Sequence, residues 1–168
     1  MKKLLLVAAV ALLSACGSGG QRGPENAGAS NAACTLIPDA SALFGAGADV
    51  VGYAGLDGME ATCEWTSADG ARSGDIVLYT AVSLGSVTLD AKTAEIIENW
   101  DAQTETPLAP VPELGEGAQI ATDLVGYQTQ ILLRQGDRLI LIMAGSGDSA
   151  ITGEALARNM ANAITPPA

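Results

Sequence analysis

Histidine is absent from the 168 residues, aromatic side chains make up only 4%, and 8 basic residues face 19 acidic ones. Without histidine there is no Ser-His-Asp triad, no Cys-His dyad and no His-rich zinc site. A net charge of −11 excludes nucleic acid as a partner, because phosphate binding needs a basic surface. Long apolar runs are missing too. The stretch at residues 4–13 holds ten residues, about 15 Å of helix, which is half the thickness of a bilayer's hydrocarbon core. A chain of this length holds one globular unit, at about 100–200 residues per domain.

What is present begins with an address. Lys2 and Lys3 form a positive head, residues 4–13 an apolar stretch, and small residues follow, the pattern of a secretory signal that is removed from the mature protein. Leu13-Ser14-Ala15-Cys16 resembles the bacterial lipoprotein signal, the lipobox. That resemblance implies cleavage before Cys16, acylation of Cys16 and anchoring to a membrane by several acyl chains, each buried CH₂ contributing about 0.8 kcal/mol. Gly17 stands where an aspartate would retain a lipoprotein at the inner membrane. The resemblance therefore implies an outer-membrane protein facing the periplasm in a diderm host, and a lipid anchor in the cell membrane otherwise. Without Lys2 and Lys3, six basic residues face nineteen acidic ones, a net −13. Such a chain is repelled by anionic headgroups and is held by its lipid alone.

Three segments are expected: a signal peptide over residues 1–15, the lipidated cysteine with a tether over 16–33, and one domain over 34–165. Residues 17–33 are rich in Gly, Ser, Asn and Ala with no apolar period; as a flexible coil their ends lie about 23 Å apart, which holds the domain just off the membrane. Cys34 and Cys63 remain once Cys16 is acylated, and in an exported protein they read as a disulfide. Closing that loop is worth roughly 3–4 kcal/mol in the chain-entropy model.

Within the domain, Pro38 and Gly45 bracket a short helix. Residues 50–54, 60–66 and 75–82 read as strands, with Ala61, Cys63 and Trp65 on one face and a hairpin turn over residues 67–74. Leu89, Thr93, Ile96, Ile97 and Trp100 mark an amphipathic helix over 89–102. Pro107, Pro110 and Pro112 exclude helix and central strand from the next segment. Strands follow at 117–122, 126–134 and 138–144, then a closing helix at 149–164 with Asp148 or Ser149 as its cap. Residues 139–143 are apolar on both faces, as in a central strand covered on both sides, or covered by helix and tether. No βαβ alternation appears, so the expected fold is α+β: an antiparallel sheet of about five to six strands with helices packed on one face and one disulfide. The two halves, each strands followed by a helix, have the order of a duplication without matching residues.

Cys34 ahead of a helix ending Leu43-Phe44-Gly45, then Cys63-x-Trp65, Leu114-Gly115-x-Gly117-Ala118 and Gly136-Asp137-x-Leu139, is similar to small envelope lipoproteins of unknown function common in actinobacteria. The similarity spans residues 34–164 and implies a fold; it brings no catalytic residues.

Site motifs are scarce. Gly45-x-Gly47 with Gly52 lacks the dinucleotide-binding spacing, residues 145–149 form no nucleophile elbow, and the acidic residues make no calcium loop. No metal and no cofactor is expected. Glu60 and Glu64 share a strand face but stand about 13 Å apart at Cα, long for a glycosidase pair at roughly 5–9.5 Å. Trp65 and Trp100 read as core. Tyr53, Tyr79 and Tyr127 lie in strands, and Tyr79 and Tyr127 are the first candidates for binding contacts. The expected function is that of a non-enzymatic, membrane-anchored module binding another envelope protein or a small ligand; the alternative is a histidine-free, carboxylate-based cell-wall hydrolase. Mass spectrometry of the natively produced protein is expected to find acylated Cys16 as the first residue, and Cys16→Ser to leave the chain unprocessed.

Overall fold

The run Leu139-Ile140-Leu141-Ile142-Met143 has no polar face, and the fold follows from burying both of its sides. The computed structural model describes residues 31–124 and 128–164. The signal, Cys16 and most of the tether lie outside those residues. The chain forms a 3-10 turn (Cys34–Leu36), α1 (Ser41–Phe44), β1 (Asp49–Ala54), β2 (Ala61–Thr66), β3 (Arg72–Thr80), α2 (Ala81–Leu84), α3 (Leu89–Asp101) and β4 (Ala109–Pro110). A second 3-10 turn (Pro112–Leu114), β5 (Gln119–Leu124), β6 (Gln128–Gln135), β7 (Arg138–Ser146) and α4 (Gly153–Ala163) follow. The seven strands make one antiparallel sheet in the order β1-β2-β3-β7-β6-β5-β4, with β7 in the middle.

Alternate residues of β7 enter different cores. Ile140, Ile142 and Ala144 join Ile76, Ile131, Phe44 and Trp65 beneath α4, which contributes Leu156, Ala157, Met160 and Ala161. Leu139 and Leu141 join Val77, Tyr79 and Leu132 beneath α3, which contributes Leu89, Ile96 and Trp100. The helices therefore cover both faces, which corrects the expectation of one-sided packing. Its physical reason is β7 itself, together with β3, whose Ile76 and Leu78 point one way and Val77 and Tyr79 the other. The expected α+β class is met only in part: the sheet is antiparallel, but it has seven strands instead of five or six. The extra strand is β4, two residues at the sheet's edge within the proline segment, where a missing N–H is harmless. Among the described residues four α-helices form instead of three. The third strand stops at Thr80, whose side chain and that of Ser83 form a capping box for α2. The last helix is capped by Thr152, not Asp148 or Ser149, with its hydroxyl accepting from Ala155 N–H at 3.1 Å.

A two-fold axis relating antiparallel β3 and β7 would keep their following helices on one face. Because α3 and α4 lie on opposite faces, the halves do not superpose as a simple duplication. Among the described residues, no helix is long and apolar enough to cross a membrane.

The first layer is fastened early in the chain. Cys34 and Cys63 form the expected disulfide, with Cα atoms 5.0 Å apart, and Trp65 stacks on Phe44 next to it (ring centroids 6.2 Å). Gly45 ends α1 at φ +83°, as its position predicts, and Arg72 donates to the Leu43 carbonyl at 2.5 Å. The β1–β2 connection is Leu56-Asp57-Gly58-Met59, closed by Met59 N–H donating to Leu56 O at 3.0 Å. Asp57 and Gly58 both take positive φ (53° and 85°), the Asp-Gly form of a type I′ hairpin.

Gly74 is the tightest point of the core. A Cβ there would stand 2.6 Å from Met160 Sδ and 2.7 Å from Phe44 Cζ, and both side chains are fully buried with nowhere to move. Gly74→Ala is expected to lower stability by about 1–3 kcal/mol through overpacking, read as a shifted midpoint in urea unfolding.

Candidate functional site

The face beneath α3 combines apolar walls with polar and charged side chains, and it divides into three parts. Along one flank of α3, Asp90, Thr93, Ala94 and Ile97 face Leu132, Leu133, Leu139 and Arg134 across a recess of about 300 Å³, with Glu116 and Gly117 at its rim. This volume is at the low end of small-molecule sites. Arg134 from β6 pairs with Asp90 in the first turn of α3 at the mouth. The pair is more than half exposed on the Asp90 side, so it contributes little to stability. Its effect is to place a guanidinium and a carboxylate at the edge of an apolar floor.

The other flank is shallower. Tyr79, Lys92, Glu95, Asn99, Trp100, Gln130 and Leu141 surround about 220 Å³. Trp100 is buried, as its place in the helical stripe predicts, and its indole N–H donates to Gln130 Oε1 at 2.8 Å. Tyr79 is 7% exposed, with Lys92 Nζ 5.3 Å from its ring centroid. Burial pushes the Tyr79 hydroxyl upward, with Lys92 acting in the opposite direction and Glu95 in the same one. Tyr79 thus forms a wall of this recess and offers only an edge to a ligand. Tyr127 lies outside the described residues.

Beyond Trp100 the sheet face is uncovered. Register places Glu64 opposite Asp75, Asp75 opposite Met143, and Met143 opposite Gln130, so four side chains form a row across β2, β3, β7 and β6. Tyr53 from β1 donates its hydroxyl to Glu64 Oε2 at 3.3 Å. Asp75 is half-buried. Desolvation, and then the Glu64 charge, push its carboxyl up to about 6. Asp75 therefore takes up a proton more readily than an ordinary carboxyl, with a second carboxyl facing it across the strands. However, neither carboxylate lines either recess. Among the described residues no group of three or more potential metal ligands forms.

Of the residues singled out from sequence, Glu60 and Glu64 stay apart: Glu60 Oε2 accepts from Thr80 Oγ1 (3.1 Å), whereas Glu64 accepts from Tyr53. The pair that does meet, Glu64 with Asp75, was missed. Its signal was available, because a hairpin turn over residues 67–74 leaves only a few registers, and one of them sets these two carboxylates face to face. The Arg134–Asp90 pair, 44 residues apart in sequence, had no local signal. No family model, curated protein or solved structure matches the chain.

The raised Asp75 carboxyl couples stability to pH. Its folded value lies above the ordinary 3.8, so its contribution is fully present below about pH 4 and is lost as pH rises through about 6. In urea unfolding, Asp75→Asn is expected to match the parent at pH 4 and to exceed it by about 1–2 kcal/mol at pH 7.5, the full linkage being reduced by solvent screening of a half-buried group.

Proposed function

We propose that this protein is an exported, membrane-anchored envelope lipoprotein whose domain acts as a non-enzymatic binding module. The resemblance of residues 13–16 to a lipobox supports acylation at Cys16, with the anchor in the outer membrane of a diderm host or the cell membrane of a monoderm one. The Cys34–Cys63 disulfide is in keeping with an oxidising compartment. The observation that carries the binding role is the recess beside α3, where Ala94, Ile97, Leu132 and Leu139 give an apolar floor and Arg134 stands at the mouth. An apolar body with one anionic group is the ligand chemistry this fits, because Arg134 can exchange Asp90 for a better-placed acid. Another envelope protein presenting such a group is the macromolecular version of the same partner.

A second reading has one observation in its favour. Asp75, raised to about 6 beside Glu64, is the acid–base pair that a carboxylate-based cell-wall hydrolase requires. Against it, the pair lines neither of the recesses beside α3, so neither carboxyl faces the space that could hold a substrate.

Anilinonaphthalene sulfonate, an apolar body bearing one anion, tests both. Saturable fluorescence enhancement is expected with the oxidised protein, lost in Ala94→Trp, which fills the recess, and weakened in Arg134→Gln. Enhancement that ignores Ala94→Trp removes the recess from the account. Turnover of cell-wall glycan that disappears in Asp75→Asn would replace the binding reading with the hydrolase.

A further inference from the structure

We infer that the end of the sheet formed by the β1–β2 turn and α2 is a membrane-contacting surface, which rests on the zwitterionic phospholipid of the bilayer that anchors the chain. This rests on the lipid-anchor reading above and adds an orientation to it. Among the described residues, three large hydrophobic side chains are exposed: Leu56 at 48%, Val82 at 88% and Val87 at 43%. All three are at one end of the molecule. Leu56 opens the type I′ turn, Val82 lies on α2, and Val87 is in the link from α2 to α3.

These segments touch. A Cβ on Gly58 would stand 3.5 Å from Leu84 Cδ2 and 3.9 Å from the Ser83 carbonyl oxygen, and Glu60 at the start of β2 accepts from Thr80 at the start of α2. Scattered apolar residues on a surface mean nothing, but three gathered at one end of an otherwise polar domain mark a contact.

The place where the described chain begins selects the occupant. Asn31 donates its side-chain amide to the Tyr53 carbonyl at 2.6 Å, one residue before β1 ends at Ala54. Asn31 also packs on Gly52, so the described chain begins over the half of β1 nearer this end. Fourteen residues separate Cys16 from Asn31, a length of chain that spans at most about 50 Å. That reach lets the apolar end touch the bilayer without the tether rounding the domain. A spacing set by the tether alone would let the domain tumble, and this surface removes that freedom.

Three exposed side chains cannot hold a free domain at a membrane. A covalent anchor makes the contact intramolecular, at a high effective concentration, so a small apolar gain is enough to set orientation. Asp57 and Glu60 lie at this end, so uncharged headgroups suit it better than anionic ones, which the net acidity of the chain repels.

The test uses the full-length, natively processed protein in phosphatidylcholine vesicles carrying brominated acyl chains. An environment-sensitive dye is placed at Val82→Cys or, at the opposite end in the β2–β3 turn, at Ala68→Cys; both positions are exposed, so neither substitution disturbs the core. The dye at residue 82 is expected to be quenched several-fold more than that at 68. Adding Leu56→Ser and Val87→Ser should reduce it to the level of residue 68, with the protein still sedimenting with the vesicles. Equal quenching at both positions in acylated protein overturns the contact and leaves the anchor standing. A dye at 82 shielded from lipid, with a photocrosslinker at the same position captured by a second copy or another protein, also overturns it. A mass spectrum without acyl chains on Cys16 overturns anchor and contact together.

Discussion

The architecture depends on one constraint: a strand with no polar side cannot lie at a surface. β7 puts Ile140 and Ile142 into one core and Leu139 and Leu141 into the other, and the sheet is organised around it. A three-stranded meander (β1-β2-β3) and a four-stranded one (β4-β5-β6-β7) meet at β3 and β7, and each face of that junction needs its own helix. α4 approaches closely because Ala157 and Ala161 are small. α3 covers the other side with Ile96 and Trp100, and it stops where the sheet turns polar. Both the covered and the open parts of that face follow from the length of one helix.

The chemistry of the α3 face is set by what surrounds each polar group. Gln130 satisfies the Trp100 indole, so that a large aromatic can be buried without leaving an unpaired donor. Asp75 has a carboxylate opposite it and a methionine on the other side, which leaves its charge poorly solvated and uncompensated. Arg134 and Asp90 neutralise one another at the mouth of an apolar recess, where a ligand's acid can take the place of Asp90. Of these, the recess at Arg134 is the larger of the two beside α3 and joins a charge to mainly apolar walls. This is why the binding reading is preferred to one built on the open carboxylate pair.

Much of this was legible in the sequence, and the losses have identifiable causes. Strand and helix periods placed β1, β2, β6, β7, α3 and α4 near their observed positions, and cysteine counting gave the disulfide. The turn at Asp57-Gly58 was missed, although Asp-Gly is a hairpin signal, two residues that accept positive φ. Residues 139–143 already required cover on both faces, yet the layer order depends on whether α3 crosses the sheet, which no local pattern encodes. α2 was absorbed into the preceding strand because Ala81 and Val82 continue its apolar alternation, whereas the capping box of Thr80 and Ser83 overrides it. The recess was not legible at all, because its walls come from α3, β6, β7 and the loop before β5. The cross-strand carboxylates were one register assignment away.

The shared central strands have a thermodynamic corollary. Because β3 and β7 each belong to both hydrophobic layers, stripping away either helix exposes the greasy back of the strands that the other helix still covers. The two layers cannot melt separately without leaving a sticky half-structure, so folding is coupled through the middle of the sheet. Such an arrangement favours all-or-none unfolding of the described residues.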